Sequence, residues 1–307
     1  MSTIKIEDIA FVRFRAPDLA QMRAFLEEFG LTVMEDGERL FARGAGQSPF
    51  LHATELGEPG FAGLGLRASS LADLEALAAA EDLQVLPLDA PGGGHVVTLT
   101  DPDGRRVEVV AGQSATPASV LPAREPWNSA SARERLRQTK RVSPGPAHVV
   151  RLGHCVLNVG DFRASERWYK DRFGLITSDE IALTPDFSIG AFLRCDRGAT
   201  PTDHHTLFLI QSPSGPGFNH AAFEVADLDD LMAGHQTLKD AGRHAEWGVG
   251  RHILGSQVFD YWRDPWGHTL EHWTDGDLFT AADGSNVASL EDLMGVQWGP
   301  SAPPTMA

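Results

Sequence analysis

Hydrophobic and polar positions follow the same order twice along this chain. In each half, a strand-like run of apolar residues leads to an aspartate that can cap a helix, and the helical pattern closes at a Phe-Gly-Leu sequence. The first copy spans residues 9–31 with the aspartate at Asp18, and the second spans residues 152–175 with the aspartate at Asp161. The glycine in each copy suits a helix C-terminus, because glycine adopts the left-handed conformation without strain. The pattern therefore predicts an internal repeat.

Each half continues with short strands of alternating polarity, a second strand and helix, and a final hairpin. The hairpin turn is Asp-Pro-x-Gly in both copies, at residues 101–104 and 264–267. Proline presets one turn dihedral and glycine admits the positive one, so we expect a tight turn at both places. Each half is thus predicted to contain paired β-α-β-β-β units, which makes the fold class α+β with two tandem domains.

The repeat also predicts the domain organisation. We expect an N-terminal domain at residues 1–112 and a C-terminal domain at residues 148–275. The linker between them, residues 113–147, is rich in Pro, Ser, Ala and Arg, with a short polar helical run predicted near residues 131–139. The tail, residues 276–307, has little periodicity. Four of its apolar side chains can pack back on the body: Leu290, Leu293, Met294 and Trp298.

Composition narrows the possible partners. The chain has 42 acidic and 26 basic side chains and a formal net charge of -16, which argues against nucleic acid or an anionic membrane as a partner. The start of the chain lacks a signal-peptide pattern, and no run of about 18 apolar residues predicts a membrane span. Two cysteines are too few for a disulfide framework. We therefore expect a cytoplasmic protein that is not membrane-bound.

Three residues in strand-like stretches of the second half form a candidate metal set: His154, His220 and Glu271. Two histidines and one carboxylate occupy one face of a metal and leave the opposite face open, which suits non-haem Fe(II) working on O2. The three side chains converge if their strand faces turn inward, because side chains alternate between the faces of a strand. His268 and His272 fall on the other face of the third strand and are excluded.

The first half does not repeat this set. Aligning the halves by their helix-start aspartates and Asp-Pro turns puts Phe11 opposite the first histidine, Gly63 opposite the second and Glu108 opposite the glutamate. A lone carboxylate cannot hold a catalytic divalent metal. The sequence therefore predicts one metal site in each chain, in the second domain.

The end of the second half carries a longer motif. From residue 250 it reads Gly-Arg-His, seven residues, Asp-Tyr, two residues, Asp-Pro-Trp-Gly, three residues and Glu271. With the tandem modules, this segment resembles the type I extradiol catechol dioxygenases of the vicinal oxygen chelate superfamily. The resemblance covers residues 5–275. It departs from the family pattern at Asp260, where the family has an apolar residue.

The resemblance implies a fold and an activity. Each pair of modules would form a curved, barrel-like sheet, and the bound metal would be Fe(II), with Mn(II) as the alternative. The enzyme would insert both atoms of O2 beside the diol of a catechol and give a ring-opened, hydroxymuconic-type product. A homo-oligomer is also expected.

The same resemblance implies three catalytic residues. His252 and Tyr261 match the residues that hydrogen-bond the substrate oxygens. The family places its acid-base histidine 15 residues before the second ligand, which selects His205, while His204 stays open because one residue of slippage exchanges the two.

Two other functions are weighed against ring cleavage. One is a metal-dependent isomerase or lyase of the glyoxalase type, which usually needs a fourth protein ligand. The other is a non-catalytic protein that sequesters small molecules, like the bleomycin-resistance proteins, which needs no metal set. If the enzyme cleaves catechols, apolar pocket walls suit alkyl or aryl catechols. The walls are predicted to include Val156, Phe187, Ile189 and Phe192.

Overall fold

A computed structural model describes residues 2–123 and 126–305 of the protein. The first half forms an eight-stranded sheet in the order β2-β3-β4-β1-β5-β8-β7-β6. Its strands are β1 (Ile6–Ala16), β2 (Thr32–Asp36), β3 (Arg39–Arg43), β4 (His52–Leu56), β5 (Gly60–Ala68), β6 (Leu86–Pro87), β7 (His95–Thr100) and β8 (Arg106–Ala111). Its helices are α1 (Leu19–Glu28) and α2 (Leu71–Ala80). The order along the chain is two β-α-β-β-β units, as predicted.

The second half repeats this plan in a ten-stranded sheet, in the order β19-β10-β11-β13-β9-β14-β17-β16-β15-β20. The repeated elements are β9 (Val149–Val159), α3 (Phe162–Phe173), β10 (Ile176–Thr184), β11 (Phe187–Arg194), β13 (Leu207–Gln211), β14 (Gly217–Val225), α4 (Leu228–Asp240), β15 (His244–His252), β16 (Val258–Arg263) and β17 (Thr269–Thr274). The added elements are β12 (Thr202–Asp203), β18 (Leu278–Phe279), β19 (Asn286–Ser289), α5 (Leu290–Met294) and β20 (Val296–Trp298).

Local signals in the sequence form the predicted caps and turns. The Asp18 carboxylate accepts the backbone N–H of Gln21 at the start of α1, and Asp161 does the same at the start of α3. Gly174 ends α3 at φ +68°, where a side chain would be strained. The hairpin turns at residues 101–104 and 264–267 each end in a glycine with positive φ.

In the segment between the sheets, the described residues 113–123 and 126–147 form no helix. Residues 131–139 are irregular with isolated bends, so the predicted helical run is wrong. Leu136, the apolar residue of the run, is 83% exposed. A short polar segment with no apolar face against the core lacks the packing that stabilises helices of this length.

The tail packs on the second sheet, as predicted. Strand β19 pairs with β10 and strand β20 pairs with β15, while α5 lies between them in sequence. We call residues 286–298 the strap. Within the described part of the chain, no helix combines the length and the apolar character that a membrane span requires.

The two halves share one hydrophobic core. Phe14 of β1 packs edge-on against Phe218 of β14, with ring centroids 5.1 Å apart. Phe29, which follows α1, stacks on His272 of β17 at 3.8 Å and accepts a hydrogen bond from its Nε2 through the backbone carbonyl, at 2.7 Å. The first half therefore supports the strand that carries Glu271.

The buried side chain of His52 makes the stability of the folded protein depend on pH. Its ring stacks on Phe14 and is 1% exposed, and burial lowers the pKa of His52 to about 3. The folded state therefore holds a neutral imidazole, whereas the unfolded state takes up a proton below its ordinary pKa of about 6.5. Stability is lost as the pH falls through this range.

Between pH 7 and pH 5, the free energy of unfolding should decrease in the wild type. We expect that decrease to be about 2 kcal/mol larger than the decrease in the variant His52→Phe. The variant keeps an aromatic ring against Phe14 and has no proton to gain. Urea unfolding at the two pH values measures the difference. Equal losses in the two proteins would contradict a buried neutral His52.

Candidate metal centre

The three predicted metal residues lie on adjacent strands of the second sheet. His154 is on β9, His220 on β14 and Glu271 on β17. Ala222 of β14 pairs with both His154 and Glu271, so the register brings the three side chains to one face. Their donor atoms lie within 4.8 Å of one another. The structure therefore brings together the set that the sequence predicted.

The donor set has the environment of a cation site. Glu271 is 0% exposed, and hydrogen-bond donors are absent from both of its carboxylate oxygens among the described residues. The Nε2 atoms of His154 and His220 lie 3.3 Å and 3.4 Å from its Oε2 atom, but neither contact has hydrogen-bond geometry. A buried carboxylate without a partner costs several kcal/mol or more. A cation between the three side chains fits this chemistry.

The ionisation of Glu271 and His154 also suits a metal. Burial alone would raise the pKa of Glu271, but the two imidazoles beside it outweigh that effect and hold the pKa well below its ordinary range. Burial lowers the pKa of His154, which favours the neutral imidazole. A charged carboxylate and a neutral imidazole are the forms that bind metal ions.

Asn219 orients one of the imidazoles. Its side-chain oxygen lies 2.8 Å from Nδ1 of His220, so that nitrogen donates the hydrogen bond and leaves Nε2 free for a metal. The Asn219 amide donates in turn to Asn158 at 3.2 Å. A register shift of β14 between Phe218 and His220 allows this contact between neighbours in sequence. Sequence analysis missed Asn219, because regular alternation turns it away from the site.

A mostly apolar cavity lies over the two imidazoles. Val156 and Phe192 line it as predicted, whereas Phe187 is 50% exposed and lies outside the lining, which makes that prediction wrong. Ile189 packs against the cluster that contains Val156 and Phe192 but is not part of the lining, so that prediction is wrong as well. The remaining apolar lining comes from Phe208, Ile210, Trp247, Leu254, Leu290, Leu293 and Met294. The strap thus closes one side of the cavity through α5.

His252 and Tyr261 lie together in the cavity wall. Nε2 of His252 is 2.9 Å from the Tyr261 hydroxyl, and the Tyr261 ring is 5.1 Å from the His220 ring. Burial lowers the pKa of His252 to about 4. Burial, with the nearby charge of Glu271, raises the pKa of Tyr261 well above its ordinary value. The pair is therefore a neutral imidazole and a neutral phenol that can share one proton.

The two candidate acid-base histidines have different surroundings. The His205 ring lines the cavity and lies 4.0 Å from the His154 ring. The His204 ring lies behind it, with Nε2 2.6 Å from Oδ2 of Asp179 and Nδ1 3.0 Å from Nδ1 of His205. Of the two, His205 therefore has the position from which it can reach a bound molecule. Sequence analysis missed Asp179, which lies 25 residues before His204 in the chain.

In the first half, the glutamate at the equivalent position contacts an arginine of the protein itself. Glu108 pairs with Gly65 as Glu271 pairs with Ala222, so the two glutamates are equivalent. The Arg13 guanidinium contacts the Glu108 carboxylate and lies 4.8 Å from the centre of the Phe11 ring. A Cβ atom on Gly65 would lie 2.4 Å from that ring. A protein cation and an aromatic ring thus fill this equivalent site.

Comparisons with known proteins agree with this geometry. Residues 151–272 match the family model described as the Glyoxalase/Bleomycin resistance protein/Dioxygenase superfamily. The chain is 32% identical to metapyrocatechase 2 of Cupriavidus necator over 305 residues, which cover 97% of this chain and 90% of the relative. The chain belongs to the extradiol ring-cleaving dioxygenases of this superfamily. Ring cleavage, rather than isomerisation or sequestration, is therefore the activity of this dioxygenase.

Solved structures share the fold of this dioxygenase. The Mn(II)-bound glyoxalase from Novosphingobium aromaticivorans has a TM-score of 0.78 at 24% identity and covers 99% of this chain and 94% of its own. The substrate complex of homoprotocatechuate 2,3-dioxygenase from Brevibacterium fuscum has a TM-score of 0.80 at 18% identity, with coverages of 99% and 92%. The predicted α+β class with two tandem domains is confirmed.

Proposed function

We propose that this dioxygenase binds one Fe(II) ion through His154, His220 and Glu271 and cleaves a catechol beside its diol. The observation that carries the proposal is the fully buried Glu271 carboxylate, which faces two imidazole nitrogens and no hydrogen-bond donor among the described residues. Enzymes of this family depend on a metal. Two histidines and one carboxylate favour Fe(II), and Mn(II) is the alternative that accepts the same ligands.

When bound, the metal supplies a Lewis acid that can hold both oxygens of a catechol and a route for electrons to O2. The protein supplies the proton chemistry around it. His252 and Tyr261, joined by their 2.9 Å contact, hold a diol oxygen and take up its proton. His205, on the side of His154, is the acid-base residue that holds a proton during oxygen insertion and returns it. The buried walls exclude water from these transfers.

We propose a substrate with an apolar alkyl or aryl substituent. Helix α5 of the strap gives the cavity lining three apolar side chains, Leu290, Leu293 and Met294, and Leu254 adds a fourth. Within the described part of the lining, lysine and arginine are absent, so an anionic substituent would lose its water without gaining a partner. Hydrophobic burial of an alkyl or aryl group favours binding instead.

We also propose a cytoplasmic homo-oligomer with the domain bounds that the sequence predicts. Both cysteines are buried and free, which suits a reducing compartment. Strand β8 ends at Ala111 and β9 begins at Val149, which supports a linker at residues 113–147 between domains at 1–112 and 148–275, before a tail at 276–307.

The linker supports self-association. Val120 is 95% exposed and Leu136 83% exposed, which leaves apolar surface for a partner. Residues 126–142 contain four arginines and one lysine against one glutamate, whereas the whole chain has a net charge of -16. A basic, apolar segment complements an acidic second copy of this chain. We expect light scattering to give a multiple of the 33.2 kDa chain mass. A monomeric mass would contradict the proposal.

The two equivalent glutamates give a matched test of the metal site. We expect Glu271→Gln to lose stoichiometric metal after anaerobic loading with Fe(II), because a neutral amide cannot balance the ion's charge. Glu108→Gln should keep one metal per chain, because Arg13 occupies the equivalent site. Elemental analysis of the desalted proteins measures both. One iron per chain in Glu271→Gln would refute the ligand set, and loss in Glu108→Gln alone would place the metal in the first half.

Oxygen uptake tests the substrate class. The Fe(II)-loaded enzyme is mixed with 3-methylcatechol, 2,3-dihydroxybiphenyl and 2,3-dihydroxybenzoate while absorbance is scanned. We expect a ring-opened chromophore and a kcat/KM at least about 10-fold higher for the two apolar substrates, since hydrophobic contacts discriminate by about this much. Equal values for the carboxylate would contradict the apolar class. No uptake with any diol, despite one bound iron, would contradict the proposed site chemistry.

A further inference from the structure

Three buried side chains form a hydrogen-bonded row that ends at the cavity. We propose that Asp179 and His204 are positioning residues: their row of hydrogen bonds ends at Nδ1 of His205 and holds that ring so that its Nε2 atom faces a molecule in the cavity. The proposal rests on the acid-base role of His205 in the proposed function. The row runs from Oδ2 of Asp179 to Nε2 of His204 at 2.6 Å, and from Nδ1 of His204 to Nδ1 of His205 at 3.0 Å.

The row is held rigidly from both sides. The backbone N–H of His204 donates to the backbone carbonyl of Asp277 at 2.9 Å, and the His204 carbonyl accepts a hydrogen bond from the Ser178 hydroxyl at 2.6 Å. The side chain of His204 is 1% exposed and that of Asp179 is 11% exposed. Asn286 of the strap pairs with Asp179 across β10 and β19, which covers the carboxylate end of the row. Water therefore does not compete with the hydrogen bonds between these groups.

The row determines which nitrogen carries each proton. A carboxylate only accepts hydrogen bonds, so Nε2 of His204 carries its proton towards Asp179. The hydrogen bond from His204 lowers the pKa of Asp179, which keeps the carboxylate charged. In the neutral form of His204 with its proton on Nε2, Nδ1 is bare and accepts the proton of Nδ1 of His205. Nε2 of His205 is left as a bare acceptor for a molecule in the cavity.

This arrangement makes His205 a base first and an acid afterwards. A proton leaves a hydroxyl of the bound catechol and forms a bond to Nε2 of His205. The resulting cation keeps its hydrogen bond to His204, and the Asp179 charge behind that ring stabilises it. The proton then returns from Nε2 to an oxygen of the ring-opened product, so the residue ends in its starting form.

A second histidine-carboxylate pair in the same domain provides a control. His235 lies 3.1 Å from the buried carboxylate of Asp260, and its ring packs on Trp262. Neither His235 nor Asp260 belongs to the cavity lining. The pair has the chemistry of His204 and Asp179 without a link to His205.

The test uses the metal-loaded enzyme with a saturating apolar catechol and O2. We expect His205→Phe to lower kcat about 10²-fold, as loss of an acid-base group does. Asp179→Asn and His204→Gln should each lower kcat about 10-fold, in line with other groups that orient a functional imidazole. Metal content and KM should stay within about 2-fold of wild type, and His235→Gln should leave kcat unchanged.

The double variant Asp179→Asn/His205→Phe separates positioning from a structural role. We expect it to be no slower than His205→Phe, because a residue that acts through His205 has nothing left to act on. A further 10-fold loss would show that Asp179 acts on the fold and would overturn the proposal. Should Asp179→Asn not fold, His204→Gln with and without His205→Phe gives the same comparison.

The single variants distinguish the two proposals. Wild-type turnover in both Asp179→Asn and His204→Gln, together with slow turnover in His205→Phe, would overturn the row and leave the acid-base role intact. Wild-type turnover in His205→Phe would overturn the acid-base role itself. Partial recovery in Asp179→Glu, which restores a carboxylate, would support the charge on Asp179 as the active feature.

Discussion

The second half of this dioxygenase is organised around a carboxylate that has been removed from water. Glu271 is fully buried and faces His154 and His220 instead of hydrogen-bond donors within the described residues. A negative charge in that position is unstable unless a cation joins it. The register of β9, β14 and β17 brings the two imidazoles beside this carboxylate. The proposed metal ion would supply the positive charge that the buried carboxylate lacks.

The two halves differ in how a buried glutamate at the same position of the repeat is neutralised. The repeat places a glutamate at equivalent positions of β8 and β17, and each is buried. In the first half, Arg13 brings a covalently attached cation to Glu108, so that site is permanently neutralised. The first half also supports the strand that carries Glu271, through the contacts of Phe29 with His272. The two modules thus share a fold but differ in how the equivalent glutamate is surrounded.

Sequence patterns revealed those parts of the site that obey regular periodicity. The convergence of His154, His220 and Glu271 could be predicted because each lies on a strand, where alternation fixes the face, and because the repeat supplied an internal alignment. Asn219 could not be predicted, since an irregularity in β14 turns it towards the site. Asp179 meets His204 only through the packing of β10 beside the loop before β13, which no local pattern records. The predicted linker helix does not form, because the segment has no apolar face that could pack against the core.

The strap forms a wall of the cavity without forming part of the candidate metal set. Residues 286–298 supply β19 and β20, which are the two edge strands of the second sheet, whereas β9, β14 and β17 lie next to one another inside the sheet. The register that brings His154, His220 and Glu271 to one face is therefore set by strand pairs that do not include the strap. Changes in α5 would alter the cavity wall and leave the three donor side chains in place.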